Sequence, residues 1–192
     1  MTDALEQDPR VVLVAGLGNP GSAYRGTFHN VGRETVQEFI RKAGGTFDEQ
    51  KDALVAERNG VFFLLPQRFM NRSGPVLARF AALEGIAPEE ILVVVDDLYL
   101  PTGRIRVRKR GGTAGHNGLK SIEEALGSRD YPRLRIGIGP DPGGDRRTDY
   151  VLSRPRPEVQ VDLLSGIAKA QAAIDTILRY GVTRAMEVFN AG

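Results

Sequence analysis

VVLVAGLGNPG, residues 11–21, is a β-branched apolar run that breaks into glycine, asparagine and proline. The apolar part, residues 11–17, is too short for a helix, and it reads as a buried strand entering a tight turn. A second buried run, residues 91–95, breaks at Asp96-Asp97. Asn59-Gly60 joins residues 54–58 to 61–65, the strongest short-range signal for a hairpin. Between these strands, Val31, Val36, Phe39 and Ile40 have helical spacing, and Gly44-Gly45 ends that helix. Ser73 is placed to cap a helix reaching about Leu83 and ended by Gly85. Residues 104–110 and 133–138 read as further strands, with a helix over 116–126 between them. Val161, Leu164, Ile167, Ala170, Ile174 and Ile177 mark a long amphipathic helix over 157–180, followed by a short closing helix. Strands alternating with helices predict an α/β fold: one domain with a twisted mixed β-sheet flanked by α-helices.

Gly16-Leu17-Gly18-Asn19-Pro20-Gly21 matches the dinucleotide fingerprint letter for letter. That fingerprint needs a helix at the pyrophosphate and then a second strand ending in an acidic residue. Here residues 22–30 carry Gly26 and no helical period, and the next regular element is a helix, so the context of a nucleotide-cofactor oxidoreductase is missing. The alternative use of the turn is to present Asn19 over the crevice at the strand's C-terminal end.

The chain has two histidines, each followed by asparagine in a glycine-punctuated segment: His29-Asn30 and His116-Asn117. Cysteine is absent, so acid–base chemistry near neutral pH falls to these imidazoles and to carboxylates. If the central strands are parallel, Asn19, Asp96, Asn71 and His116-Asn117 share one edge of the sheet. A carboxylate paired to an imidazole fixes its tautomer and lets it take a proton from water. Carboxamides can donate to a carbonyl oxygen as it gains charge. The same asparagines also suit turns and helix caps. There is no Gly-x-Ser-x-Gly elbow and no His-Glu-x-x-His spacing, which argues against an acyl-enzyme and against metal catalysis through His29, Asp96 and His116.

The 192 residues carry a net charge of +2, with 26 Lys/Arg against 24 Asp/Glu, and half of that positive charge falls within residues 101–156. Arg104, Arg106, Arg108 and Arg110 alternate with apolar residues and Lys109, so in a strand all four arginines share a face. Arg129, Arg133, Arg135, Arg146 and Arg147 follow. One reading is an edge strand protected from pairing. The other is a surface for nucleic-acid phosphates; no aromatic residues interleave, so contact with a structured backbone is expected over base stacking. The acidic segment 1–10 lacks the apolar core of a signal peptide and is expected to be a flexible tail before a single domain over 11–192. No apolar run reaches the ~20 residues of a membrane span, and the lack of cysteine fits a reducing cytoplasm.

These segments together resemble bacterial peptidyl-tRNA hydrolase: GLGNPG at 16–21, Tyr24 with FHNVG at 28–32, FMNRSG at 69–74, VDDLYLP at 95–101, GHNGLKS at 115–121 and RLRIGIGP at 133–140. The resemblance implies a monomeric cytoplasmic enzyme, without cofactor or metal, that cleaves the ester between a peptide and the 3′ end of tRNA. By the same resemblance His29 is the catalytic base, Asp96 its orienting carboxylate and Asn19 a third member of the catalytic group. Tyr24, Phe69, Met70, Asn71, His116 and Asn117 then bind the peptidyl end. Arg108 and Arg135 meet the acceptor stem, and residues 140–145 with 148–152 form a mobile lid. A non-catalytic RNA-binding relative is the rival; retention of His29, Asp96 and the three asparagines speaks against it. Two departures stand out: Tyr99 in place of a usual acidic residue, and a loop over 110–115 with fewer glycines than usual.

Overall fold

The apolar run around Val14 lies at the centre of a seven-stranded sheet in the computed structural model, which describes residues 8–191. In chain order the strands are β1 (Leu13–Gly16), β2 (Asp48–Gln50), β3 (Ala53–Arg58), β4 (Val61–Pro66), β5 (Ile91–Pro101), β6 (Ile105–Arg108) and β7 (Arg133–Gly139). The helices are α1 (Val31–Lys42), α2 (Ser73–Glu84), α3 (Asn117–Leu126), α4 (Arg146–Val151), α5 (Pro157–Tyr180) and α6 (Val182–Phe189). The sheet runs β2-β3-β4-β1-β5-β7-β6. Its centre, β4-β1-β5-β7, is parallel throughout, with antiparallel strands at both edges.

Alternation along the central strands divides the core in two. Val14, Leu92 and Val94 pack with Val31, Val36 and Ile40 of α1 and Ile174 and Ile177 of α5. Leu13, Ala15, Val93 and Val95 pack with Leu77 and Phe80 of α2 and Leu119 and Ile122 of α3. Each fully buried side chain of this size contributes roughly 1.5–3 kcal/mol, which outweighs the few tenths by which propensities differ. The C-terminal ends of the parallel strands therefore share one edge, with the N-terminal turn of α1 approaching from one face and that of α3 from the other.

Several boundaries differ from expectation. β5 does not stop at Asp96-Asp97 but continues to Pro101, across a register shift against β7. Gly137 and Gly139 make this possible, since a Cβ at either would overlap β5 carbonyl oxygens. Ser73 does not cap α2: Arg72 holds that position, and the buried Ser73 hydroxyl has no partner among the described residues. β2 was not foreseen. Residues 104–110 give a strand only over Ile105–Arg108, and its outer edge is covered, because the Asn190 side chain bonds both the N–H and the C=O of Val107. Of the expected tail, residues 1–7 lie outside the described residues; Asp8 is fastened to the Thr183 amide at 2.6 Å and to Lys109 at 3.0 Å. No helix among the described residues is long and apolar enough to cross a membrane.

Candidate active site

His29 lies in a single 3₁₀ turn, Phe28–Asn30, immediately before α1. The turn is held from several sides. Thr27 Oγ1 donates to the Tyr24 carbonyl at 2.8 Å, and Glu34 of α1 accepts the Gly26 N–H at 2.6 Å. The Phe28 amide bonds the Ser153 carbonyl, and its ring stacks on Tyr150 with centroids 4.8 Å apart. Gly32 lets this end of α1 close on β5, because a Cβ there would overlap the Val94 carbonyl oxygen. Asp96 lies two residues beyond Val94, so period-two alternation aims it at the same face.

The result is a close contact between residues 67 positions apart. His29 Nδ1 lies 2.9 and 3.1 Å from the two oxygens of Asp96. His116 reaches the same carboxylate from the other face, with Nε2 at 3.0 Å from Oδ1. The imidazoles stand 4.9 Å apart, centroid to centroid. His116 is also the N-cap of α3: its Nδ1 accepts from the amides of Gly118 and Leu119 at 3.1 and 3.3 Å. A nitrogen that accepts carries no proton, so the His116 proton is on Nε2, directed at Asp96. For His29 the same logic puts a proton on Nδ1 and leaves the Nε2 lone pair unclaimed.

Electrostatics follow this arrangement. Burial works against the charged form of His29, but the charge and hydrogen bond of Asp96 outweigh it and raise its pKa. Burial likewise opposes ionisation of Asp96, and the two imidazoles overcome it, holding the carboxyl well below the usual carboxylate range. The donor atoms of His29, Asp96 and His116 lie within 4.8 Å of one another, close enough in principle for a metal ion. The hydrogen bonds fit poorly with that use, since His116 has one nitrogen occupied by its cap and the other protonated, and both Asp96 oxygens already accept.

A cleft of about 530 Å³ opens on this trio, walled by His29, Asp96, His116, Asn117, Arg135 and Tyr99. Asn19, Tyr24, Phe69, Met70 and Asn71 lie outside that lining and form an adjoining group. Asn19 is buried, and its Oδ1 accepts the Met70 amide at 2.7 Å. Asn30, beside His29, ties the Asn19 backbone at both its N–H and its C=O, at 2.8 and 2.9 Å. The Asn19 Nδ2 has no intramolecular acceptor among the described residues. Met70 packs against Gly118 at the start of α3, where a Cβ would collide with its sulfur. Phe69 is 55% exposed, with Tyr24 edge-on at 6.0 Å. Asn71 and Asn117 are exposed. The sequence marks Asn30 only as part of the FHNVG motif, and its position next to His29 is the signal for its part in holding Asn19.

The basic residues separate. Arg106 and Arg108 are exposed on β6, opposite Arg135 and Arg133 of β7. Arg135 bonds Asp97 at 3.1 Å and the Gly112 carbonyl at 2.6 Å. Arg133, expected on the basic surface, is fully buried, because Tyr131 and the loop at Gly111 and Gly112 cover it. Over the cleft, Arg147 of α4 pairs with Asp141 and stands 5.8 Å above the Tyr99 ring, so the residue that departs from the usual acidic one faces a guanidinium.

A family model described as peptidyl-tRNA hydrolase matches residues 13–192. The chain belongs to the peptidyl-tRNA hydrolase family. Among curated family members, one from Chloroflexus aggregans is 40% identical over 184 residues, covering 93% of this chain and 98% of the relative. Another, from Neisseria meningitidis serogroup B, is 44% identical over 176 residues, covering 88% and 91%. The crystal structure of peptidyl-tRNA hydrolase from Acinetobacter baumannii superposes with a TM-score of 0.90 at 35% identity, covering 94% of this chain and 95% of that one. The family is one of hydrolases, and the single α/β domain with a seven-stranded mixed sheet is the fold of its solved members.

Proposed function

We propose that this protein hydrolyses the ester between a peptide and the 3′ end of tRNA, using a water activated by His29 and no metal. The observation that carries this is the carboxylate-bound Nδ1 of His29, which leaves Nε2 as a lone pair beside the cleft. Nε2 takes a proton from water as the oxygen attacks the ester carbonyl. Asp96 holds the ring and stabilises the imidazolium that forms. Its second donor, His116, keeps the carboxylate facing inward. The proton then passes to the departing ribose oxygen, and free peptide and tRNA leave.

Asn19, whose orientation is set by Met70 and Asn30, is the donor to the carbonyl oxygen as it gains charge; one donor of this type contributes roughly 10²–10³ in rate. Asn71 and Asn117 bind amide groups of the peptide, which suits a substrate of varied sequence. Tyr24, Phe69 and Met70 offer the apolar wall. Arg108 and Arg135 bind acceptor-stem phosphates, and coverage of the β6 edge by Asn190 removes the need for arginines as edge protection. The test is release of free tRNA from a defined peptidyl-tRNA. N-blocked aminoacyl-tRNA is expected to be cleaved and the unblocked ester to survive, because only the former presents an amide to the asparagines. Equal cleavage of both contradicts this reading of the asparagines, and cleavage of neither removes the proposed activity.

A further inference from the structure

Arg133 is the largest fully buried side chain in the structure, and nothing in the chemistry above uses it. Its guanidinium lies 4.1 Å over the Tyr131 ring. Nη1 donates to the carbonyls of Gly111 and Gly112, and Nη2 to those of Arg129 and Tyr131. Glu123 approaches Nη1 at 4.0 Å, while Nε, the Tyr131 hydroxyl and a Glu123 oxygen have no partner among the described residues. Stability alone does not call for a charge here, because a buried ion is costly and a well-packed apolar side chain often serves as well. The carbonyls it holds indicate another use. Gly111 and Gly112 begin the loop whose next residues, Thr113, Ala114 and Gly115, wall the cleft and deliver His116. Within that loop Ala114 has φ +49°, a left-handed conformation unusual for alanine, which surrounding contacts must maintain. Gly112 O is gripped twice, by Arg133 and by Arg135.

We infer that Arg133 is a positioning residue: it clamps the Gly111–Gly112 carbonyls from inside the protein and so holds the 113–115 wall of the cleft in its substrate-binding shape. This rests on the proposed reading of the cleft as the peptidyl-tRNA site. The clamp acts on binding more than on the proton transfer, since His29 is oriented by its own turn and by Asp96.

Arg133→Lys keeps the charge but cannot bridge carbonyls on two sides, and Arg133→Met keeps only the bulk. In steady-state cleavage of N-blocked aminoacyl-tRNA, both raise KM roughly ten- to a hundredfold, the factor for losing a hydrogen bond to a charged group, with kcat and its acid limb within about twofold of the parent. A merely structural role lowers the active fraction instead, and kcat falls with KM unchanged; that outcome overturns the inference. Amide exchange provides an arm that needs no substrate and still reads the Lys variant if the Met variant does not fold. The His116 amide, bonded to the Thr113 carbonyl, exchanges about tenfold or more faster in Arg133→Lys, while the α5 core amide of Ile174 does not change. Unchanged exchange at His116 overturns the clamp. A parent protein inactive on peptidyl-tRNA refutes the proposed function, while the exchange arm continues to test the clamp.

Discussion

Asp96 accepts from two imidazoles and is buried at the floor of the cleft, so its charge governs the protonation of His29. For His29 burial alone lowers the pKa, and Asp96 reverses the sign. Asp96→Asn is therefore expected to drop the His29 pKa below that of the parent, read by NMR titration of its ring proton; an unchanged titration argues that the ion pair does not govern this site. Linkage gives a second reading. A histidine whose folded pKa lies above its unfolded value of about 6.5 stabilises the fold fully below that value, and the contribution is lost as pH rises through the folded pKa. The depressed carboxyl of Asp96 contributes above its unfolded pKa, about 3.9, so it is intact across the neutral range. Urea midpoints of the parent are thus expected to fall with pH just above 6.5 by more than those of Asp96→Asn, and parallel curves contradict the assignment. That His29 pairs with Asp96 was legible through the family resemblance, while the reading of the buried runs as parallel strands placed Asp96 and His116 at one sheet edge. The hold of His116 on the same carboxylate was not legible, since it depends on a helix cap whose geometry has no counterpart in residue spacing.

Among elements, α1 and α3 each bring one histidine to the sheet edge, and each does so through a glycine. Gly32→Ala forces a methyl into the Val94 carbonyl and is expected to cost roughly 1–3 kcal/mol in urea unfolding, with loss of activity beyond the loss of stability. Full activity in a destabilised variant detaches α1 packing from catalysis. At α3, His116→Ala removes the cap and is expected to cost about 0.5–2 kcal/mol, most of it recovered by His116→Asn, a good cap in its own right. Equal stability of the two variants contradicts the capping role. The strands and helices that were legible carried local signals: the apolar run at β1, Asn59-Gly60 between β3 and β4, and helical spacing in α5. β2 is Asp48-Glu49-Gln50, polar and exposed, and it is a strand only because it pairs with β3. The extension of β5 past Asp97 depends on β7, whose glycines let the two backbones approach. Arg133 was counted with the basic surface because it follows the run of arginines in the sequence, and it is buried by a loop that residue spacing does not describe.

Over the whole molecule, charge and chemistry occupy neighbouring regions. The arginines of β6 and β7 stand beside the cleft, with Arg135 in its wall and Arg108 on the open face. Substituting both Arg108 and Arg135 by Ala is expected to weaken tRNA binding and to flatten its log–log salt dependence by about one unit per lost phosphate contact. An unchanged slope returns these arginines to a purely structural role. The account as a whole depends on His29 being the base, and single-turnover cleavage of an N-blocked aminoacyl-tRNA by His29→Ala tests that most directly. The expected result is a loss of about 10²–10⁴ in the rate of ester cleavage, with tRNA affinity within about twofold of the parent. Cleavage at the parental rate by the alanine variant would contradict it.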